Sequence, residues 1–277
     1  MPSPSIPDFV PALVERARAT DGQPPFSDQS LVELRRGERE LVTIDELAVA
    51  IVNRVEAEFV VDPAARGRGI GTTLLESILA SAEPGLLIWA HGDHPAARAL
   101  AASHGLSPVR SLLQLRAPVP AAPPVGSATS DGSATAAGAS AFRPGIDDAE
   151  WLRVNGRAFA FHPEQGSVSQ SDLEALTAEP WFDANDFLLL RDGDALIGYC
   201  WLKLEDGIGE FYVVGVDPDR QGEGLGRRLM AAGFARLADR GIRTAALYVD
   251  ADNVAAVSLY RSLGFTEHAI DIQYAAS

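Results

Sequence analysis

The stretch "VDPDRQGEGLGRRLMAAG", residues Val216–Gly233, places three glycines within five residues directly after an apolar run. A strand that leads through a glycine-rich loop into a helix presents unpaired backbone N–H groups at the helix start, where the helix dipole favours negative charge. Glycine also lets a ligand approach the backbone closely and tolerates positive φ. The stretch therefore predicts an anion site, and a phosphate group is the ligand that we expect there.

Two other phosphate-binding loops do not fit this stretch. A P-loop would continue with Gly-Lys-Ser or Gly-Lys-Thr, which is absent. A dinucleotide-binding fingerprint would need a glycine at position 227, which is Arg227.

The earlier stretch "VDPAARGRGIGTTLLESI", residues Val61–Ile78, has nearly the same pattern. When Asp62-Pro63 is aligned with Asp217-Pro218, the glycine loops coincide, and apolar strands and alanine-rich helices follow in both halves. Each half predicts helix, helix, three strands, helix, strand, helix and strand, and Asp192–Asp194 and Asp206-Gly207 predict hairpin turns. The chain is therefore predicted to be an internal duplication.

Residues Ala117–Ser140 contain almost nothing but Ala, Pro, Gly, Ser and Thr. Such a segment cannot bury enough apolar surface to offset its ordering entropy, and unstructured loops of this length are uncommon inside a compact domain. We therefore predict a first domain over residues 1–116, a flexible linker over 117–140 and a second domain over 141–277.

Composition narrows the possible partners and the compartment. The 277 residues carry a formal net charge of −15, which argues against nucleic acid as a partner. The start has no signal-peptide pattern, no stretch is apolar enough to span a membrane, and a single cysteine, Cys200, fits a reducing compartment. No group of His, Cys and Asp residues has metal-ligand spacing. We expect a cytoplasmic monomer with neither a metal nor a membrane partner.

The pattern Gln221-x-x-Gly224-x-Gly226, which follows "VVGVDP", resembles the loop with which GNAT acyltransferases wrap the pyrophosphate of acetyl-CoA. Downstream, "LYVDADNVAAVSLYRSLGF" resembles the second signature of that family, in which a helix carries Asn and then Tyr ahead of Gly-Phe. The resemblance implies an α/β fold of two tandem GNAT domains, each a mixed, mostly antiparallel sheet flanked by helices, with acetyl-CoA as co-substrate.

A closer resemblance within this family covers nearly the whole chain and rests on "NGRAFAFHPEQG", "EPWFD", "GEFYVVGVDP" and "LYVDADN". It implies an N-acetyltransferase whose acceptor is a small-molecule amine, the cysteinyl amine of a cysteinyl-glucosaminyl-inositol. Two alternatives stay open: a GNAT enzyme for another small amine or a protein N-terminus, and a non-catalytic acetyl-CoA sensor. Glu223 departs from the pattern, because an acid beside a pyrophosphate is unexpected.

Acetyl transfer to an amine needs a base for the ammonium proton, donors for the oxyanion and a proton for the departing thiolate. The resemblance implies Glu210 as the base, acting through water, and Tyr260 as the acid; otherwise they are a solvated carboxylate and a half-buried aromatic residue. The predicted acceptor contacts are Asp28, Glu164, Lys203, Glu210 and Tyr248. Taken singly, each could be a surface or capping residue, and Asp28 could cap its helix.

Acetyl-CoA is predicted to contact the end of the preceding strand and the glycine loop in both halves. The contacts in the first half are Val60, Val61, Arg66, Gly67, Arg68, Gly69, Ile70 and Gly71. Those in the second half are Val214, Gly215, Val216, Gln221, Gly222, Glu223, Gly224, Leu225, Gly226, Arg227 and Asn253. Gly215 suits a β-bulge in the strand whose amides would face the thioester.

The duplication also predicts a division of labour. The loop alignment places Val55 at the position of Glu210, and an alignment of the closing helices places Ala101 at that of Tyr260. Neither side chain can transfer a proton. We therefore expect the second half to catalyse and the first to bind acetyl-CoA without turnover.

Overall fold

The structure is a computed structural model that describes residues 6–120, 138–160 and 165–276. Its helices are α1 (Phe9–Asp21), α2 (Asp28–Arg36), α3 (Ile70–Ser81), α4 (Pro95–Ser103), α5 (Asp148–Ala158), α6 (Gln170–Thr177), α7 (Leu225–Asp239) and α8 (Val254–Ser262). Its strands are β1 (Glu40–Ile44), β2 (Ala48–Val52), β3 (Glu56–Val61), β4 (Leu87–Ala90), β5 (Leu106–Pro118), β6 (Ala139–Ala141), β7 (Phe187–Asp192), β8 (Ala195–Glu205), β9 (Ile208–Val216), β10 (Thr244–Asp250) and β11 (Thr266–Ala276). Within these ranges, none of the helices combines the length and the apolar character that a membrane crossing requires.

The chain forms two compact units. The first consists of Met1–Gln114, Asp250–Asn253 and Glu267–Ser277, and the second of Leu115–Val249 and Val254–Thr266. The strand order is β1-β2-β3-β4-β11 in the first unit and β10-β9-β8-β7-β6 in the second. Neighbours are antiparallel except for β3 with β4 and β9 with β10, which are parallel. The predicted mixed, mostly antiparallel sheet is therefore confirmed in each unit.

Strands β8 and β9 form the centre of the second unit. β8 is buried along nearly its whole length, because helices cover both of its faces, and β9 alternates between buried and half-buried residues. The two strands are joined by Asp206 and Gly207, which have φ of 51° and 75° and lie between the paired residues Glu205 and Ile208. Positive φ at both positions is the type I′ hairpin geometry that the sequence predicts.

Strand β6 lies inside the predicted linker. Ala139–Ala141 pair with Leu190–Leu188 of β7, and Ala139 is buried. The prediction of an unstructured segment up to residue 140 is therefore wrong at this end, because the partner strand β7 orders an alanine-rich stretch that has no strand pattern of its own. At the other end, β5 runs to Pro118, past the predicted boundary at 116. Residues 121–137 of the predicted linker lie outside the described residues.

The closing strand of the chain belongs to the first unit. β11 pairs with β4 in antiparallel register, with Ile272 opposite Ala90 and Tyr274 opposite Ile88. Tyr274 is buried in the same apolar cluster as Ile88 and Leu75. The compact units therefore differ from the linear division at residues 116 and 141, because a strand can pair with any exposed edge, whatever its position in the sequence.

A buried ion cluster connects three strands of the first unit. The His91 Nδ1 atom lies 3.0 Å from Asp271 Oδ2 of β11, and its Nε2 atom lies 3.6 Å from Glu58 Oε2 of β3. Burial alone would lower the pKa of His91, but the hydrogen bonds and charges of Asp271 and Glu58 raise it to about 10. The cluster therefore contains an imidazolium between two carboxylates at neutral pH.

Replacing the shared cation should destabilise the protein in a pH-dependent way. His91→Gln leaves two buried carboxylates without a counterion, so we expect a loss of about 3 kcal/mol at neutral pH. The raised pKa of His91 means that the imidazolium stabilises the fold fully below about pH 6.5 and less as the pH rises towards about 10. Urea unfolding should show the gap between wild type and variant shrinking over this range.

His104→Gln is the matched control, because His104 lies 3.6 Å from a mostly exposed glutamate, Glu76. Its effect should be small at every pH. A gap for His91→Gln that stays constant between neutral pH and pH 10 would contradict the charged cluster.

Candidate active site

The parallel pairing between β9 and β10 is short. It joins Ile208, Gly209 and Glu210 to Thr244, Ala245 and Ala246, and within the described strands it goes no further. β9 nevertheless continues to Val216 and β10 to Asp250. The two strands therefore diverge after Glu210, and the edge of β9 that faces away from β8 can present backbone amides to a ligand.

The glycine loop closes the wide end of this fork. Gly222 and Gly224 have φ of 84° and 76°, and Gly224 is the N-cap of α7. Before the loop, the Asp217 carboxylate accepts a hydrogen bond from the Asp219 N–H and one of 2.9 Å from Arg157 of α5. The loop is thus fixed at its start, and it leads into the first N–H groups of α7, where the sequence predicts an anion site.

Glu223 does not place an unpaired charge at this site. Its two carboxylate oxygens accept hydrogen bonds of 2.7 and 2.9 Å from the Arg220 guanidinium, which also bonds Asp192 at 2.9 Å. The bond from Arg220 lowers the pKa of the Glu223 carboxyl. The unexpected acid in the loop is therefore compensated by its neighbour on the protein surface. Arg227, on the first turn of α7, bonds the Ser262 hydroxyl at 3.0 Å.

The bulge in β9 lies at Tyr212 and not at Gly215. Trp201 of β8 pairs with Val213 and the next residue, Leu202, pairs with Phe211, so Tyr212 is the extra residue. Gly215 pairs regularly with Tyr199. A Cβ atom at Gly215 would lie 2.6 Å from the Tyr199 ring. The glycine is therefore required for close packing on β8, which corrects the predicted reason for it.

Glu210 and Tyr260 approach the fork from opposite faces of the sheet. Phe211 packs against Phe265, and the centre of the Phe265 ring lies 6.0 Å from that of Tyr260. Tyr260 therefore lies on the face of the sheet that α7 and α8 cover. Glu210 precedes Phe211 in β9 and points to the other face. Burial raises the pKa of Tyr260 to about 12. The phenol is therefore protonated throughout the neutral range, as an acid must be.

The predicted acceptor contacts are distributed over both units. Lys203 lies opposite Glu210 in the β8–β9 register and is buried, with Nζ 3.2 Å from Glu205 and 5.5 Å from the centre of the Trp181 ring. Tyr248 is half-buried on β10. Asp28 is the first residue of α2 in the first unit, and the N-cap is Ser27, so Asp28 does not cap its helix. Glu164 lies outside the described residues.

Asn253 lies in the turn before α8, where its N–H donates to the Asp250 carbonyl at 3.0 Å. Its side chain is exposed. Asn253 clusters with the first unit, so its assignment to acetyl-CoA stays a prediction.

The first unit has a cavity of about 580 Å³ at the equivalent place. Val60 and Val61 of β3 and the loop residues Gly67, Gly69, Ile70 and Gly71 line it. Gly69 is the N-cap of α3 with φ of 82°, as Gly224 is for α7. The cavity is also lined by His94, whose Nε2 atom is buried without a hydrogen-bond partner among the described residues, and by Tyr274. Tyr274 could not be assigned from the loop motif because β11 is remote in sequence.

The two arginines of this first loop are engaged with the protein. Arg66 donates two hydrogen bonds of 2.7 Å to Asp21 and one of 3.1 Å to the Val61 carbonyl, and the bonds to Asp21 raise its pKa. Arg68 donates to the Ala64 carbonyl at 3.0 Å. The donors that the loop offers to a phosphate are therefore its backbone N–H groups, as in the second unit.

The sheet register changes the assumed counterpart of Glu210. In β3, Glu56, Ala57 and Glu58 form the short parallel pairing with β4, so Glu58, and not Val55, occupies the position of Glu210. Val55 precedes β3 and is exposed. The loop alignment fails here because β9 has 9 residues and a bulge, whereas β3 has 6. The premise that the first half has only valine at this position is therefore wrong.

Glu58 is nevertheless a poor proton acceptor. Its carboxylate accepts bonds of 2.7 and 2.8 Å from the Ser27 hydroxyl and N–H. Burial alone would raise its pKa, but His91 and then Ser27 lower it to about 2. Ala101 holds the position of Tyr260, because each is the third-last residue of its helix. The Ala101 carbonyl accepts a hydrogen bond from the His104 N–H, and the Tyr260 carbonyl accepts the equivalent bond from the Leu263 N–H. The first unit therefore has neither a usable base nor an acid at these positions.

No group of three or more metal-ligating side chains converges anywhere in the described ranges of the chain.

Comparison with known proteins agrees with this geometry. A sequence model of the Acetyltransferase (GNAT) family matches residues 47–106 and 155–265, one region in each half. The chain is 44% identical to a mycothiol acetyltransferase of Clavibacter michiganensis subsp. michiganensis, over 99% of this chain and 92% of that protein. It is 46% identical to a mycothiol acetyltransferase of Streptomyces avermitilis, over 98% of this chain and 92% of that protein.

A solved tandem GNAT protein from the clavulanic acid biosynthesis pathway has the same fold, with a TM-score of 0.64 and 16% identity over 96% of this chain and 93% of that chain. The match in two regions and the identity to relatives along nearly the full length establish the family. The chain belongs to the GNAT acetyltransferases and, within them, to the mycothiol acetyltransferase family.

Proposed function

We propose that the chain transfers the acetyl group of acetyl-CoA to the cysteinyl amine of 1D-myo-inositol 2-(L-cysteinylamino)-2-deoxy-α-D-glucopyranoside, the last step in the formation of mycothiol. The observation that carries the proposal is the divergence of β9 and β10 directly before the glycine loop. That fork brings a phosphate site, a row of strand amides, one carboxylate and one buried phenol into a single unit. The identity to mycothiol acetyltransferases supports the choice of acceptor.

The pyrophosphate would bind the N–H groups of the second glycine loop and the start of α7, with the pantetheine arm along the diverging edge of β9. The residues that would hold acetyl-CoA are Val214, Gly215, Val216, Gln221, Gly222, Glu223, Gly224, Leu225, Gly226 and Arg227. Several of these contribute backbone donors and not side chains, which is why glycine is tolerated at alternate positions.

Two side chains transfer protons in this reaction. One takes a proton from the acceptor ammonium, and the other gives a proton to the departing thiolate. The acceptor ammonium loses a proton to Glu210 through a water molecule, and the amine lone pair then attacks the thioester carbonyl carbon. The N–H groups of Val214 and Val216, which face away from β8, stabilise the oxyanion that forms on the carbonyl oxygen. The C–S bond breaks, and Tyr260 gives its proton to the departing thiolate. The amide nitrogen loses its remaining extra proton to water, and a proton from water restores the Tyr260 phenol. The products are the amide and CoA.

The fork alone would also suit another acceptor. A GNAT enzyme for a different small amine or for a protein N-terminus would have the same loop, and a sensor would bind acetyl-CoA without turnover. Release of free CoA thiol, measured with a panel of amines, separates these alternatives. We expect the cysteinyl glycoside to be the best acceptor by at least about tenfold in kcat/KM. Equal rates with unrelated amines would contradict the proposal. If no amine led to thiol release, the result would favour the sensor.

Tyr260→Phe should lower kcat by one or more powers of ten, within the range of about 10²–10⁴ for a positioned acid. The acetyl-CoA dissociation constant should change little, because the loop and β9 are untouched. Since burial raises the pKa of Tyr260 to about 12, its proton should not titrate between pH 7 and about pH 10, and wild-type kcat should show no loss from this group there. A variant as fast as the wild type would exclude Tyr260 as the acid.

We also propose that the first unit binds acetyl-CoA without using it, since its glycine loop matches that of the second unit and lines a cavity, whereas Glu58 and Ala101 cannot replace Glu210 and Tyr260. Calorimetry should therefore find two acetyl-CoA sites per chain. Gly69→Val and Gly224→Val are a matched pair, because each places a side chain on a left-handed N-cap. Each should remove one site, but only Gly224→Val should abolish turnover; one site in the wild type would contradict this assignment.

Asp28 and Glu164 remain predicted acceptor contacts that rest on the sequence alone. Lys203 and Tyr248 lie in the second unit with Glu210. Their exchange for alanine is expected to raise KM for the acceptor and not for acetyl-CoA.

A further inference from the structure

Three neighbouring strands of the second unit, together with the end of β5 that belongs to the same unit, carry an ordered row of residues across the sheet. Lys203 of β8 lies opposite Glu210 of β9, and Glu210 lies opposite Ala246 of β10. The next neighbour of β10 is β5. The row is completed by the residue of β5 that lies opposite Ala246.

Two backbone hydrogen bonds fix the register between β5 and β10. The Val119 N–H donates to the Arg243 carbonyl at 2.9 Å, and the Ala251 N–H donates to the Ser111 carbonyl at 2.9 Å. Both bonds fit one antiparallel register, in which Arg116 lies opposite Ala246. Arg116, Ala246 and Glu210 therefore share one face, and Tyr248 lies on that face as well, because side chains two residues apart in a strand point the same way.

The Arg116 guanidinium has an unsatisfied donor. Its Nε atom is buried without a hydrogen-bond partner among the described residues. Arg110, on the same strand, is by contrast bonded to Asp250 at 2.6 Å. Burial lowers the pKa of Arg116, and the Tyr248 phenol is the one group whose charge acts on it. A buried N–H donor without a partner is costly, and a ligand that accepts its hydrogen bond would remove this cost.

The dimensions of the row fit an extended acceptor. Two strand spacings place the Arg116 and Glu210 Cα atoms roughly 10 Å apart. Between them stands Ala246, whose methyl group leaves the surface of the sheet open. An amine beside Glu210 would thus place the rest of its molecule over Ala246 and towards Arg116 and Tyr248. Guanidinium groups only donate hydrogen bonds, so the ligand atoms that Arg116 can bind are oxygens.

We propose that Arg116 is an acceptor-binding residue of the second unit, whose guanidinium donates hydrogen bonds to oxygen atoms of the glucosaminyl-inositol part of the acceptor. The inference rests on the proposed function, since it takes the amine to lie beside Glu210. Arg116 does not touch the reacting atoms, so it determines affinity for the acceptor and not the rate of the chemical step.

The test uses the full chain with three variants. Arg116→Ala should raise KM for the cysteinyl glycoside about 10- to 100-fold, the range for hydrogen bonds to a charged group. We expect kcat to change less than about threefold, because such bonds are made equally in the ground and transition states, and KM for acetyl-CoA to stay the same. Arg116→Lys keeps the charge but loses the planar fork, so it should restore only part of the affinity.

Arg243→Ala is the matched control. Arg243 is exposed, precedes β10 and points to the opposite face, so its loss removes one cation without touching the row. A second readout does not depend on turnover: calorimetry with glucosaminyl-inositol, which lacks the cysteine, should show binding that weakens about 10-fold or more in Arg116→Ala and not in Arg243→Ala.

The outcomes separate the two proposals. If the wild type acetylates the cysteinyl glycoside and Arg116→Ala keeps both KM and glucosaminyl-inositol binding, the role of Arg116 is excluded and the function stands. If kcat falls and KM does not, Arg116 acts on the chemical step and the inference is wrong. If the wild type does not acetylate the glycoside, the function fails and the inference fails with it. Should Arg116→Ala not fold, Arg116→Lys tests the role of Arg116 by the same two readouts, and unchanged values of both would exclude it.

Discussion

The feature on which the second unit depends is a parallel strand pairing that stops after three residues. A longer pairing of β9 with β10 would have used, inside the sheet, the β9 amides that face away from β8. Because the strands separate instead, those amides can serve a ligand, and the loop at the end of β9 leads directly into the N-terminus of α7. Glu210 sits where the pairing ends, and α8, which follows β10, brings Tyr260 to the other face. One break in a sheet thus places the glycine loop, the β9 amides, Glu210 and Tyr260, to which we assign the binding and proton-transfer roles, within the same unit.

The first unit has the same scaffold with different chemistry. Its short pairing of β3 with β4 and its left-handed glycine N-cap match the second unit. The carboxylate at the fork, however, is held by Ser27 and an imidazolium, and the helix that should supply a phenol supplies Ala101. A low pKa stabilises the fold but makes Glu58 a poor base. The two units therefore share the glycine loop and the short parallel pairing, but they differ in the residues at the positions of Glu210 and Tyr260.

Local sequence predicted the features that local chemistry determines. Glycine at 222 and 224 implied positive φ and a helix start, and Asp206-Gly207 implied a type I′ turn, because these conformations depend on a few neighbouring residues. The fold family followed from two such motifs at the correct distance.

Features set by pairing across the sheet could not be read in the same way. The partner of β11, the strand at Ala139, the bulge at Tyr212 and the counterpart of Glu210 all depend on which residues lie opposite one another. The loop alignment falls three residues short of Glu58, because β9 is three residues longer than β3; the bulge at Tyr212 accounts for one of these. No sequence motif indicated Arg116, because the proposed role of this residue depends on which residues lie opposite it on another strand. Its position emerges only from the register of β5 with β10.

The central claim is that acetyl-CoA binds in the fork along the diverging edge of β9. Hydrogen–deuterium exchange of the amides of Tyr212–Val216, measured with and without saturating acetyl-CoA, tests it most directly. We expect slower exchange in this segment and at the start of α7 when acetyl-CoA is bound, with little change in β7. Binding that is evident by calorimetry in both units but leaves the exchange of Tyr212–Val216 unchanged would contradict the account.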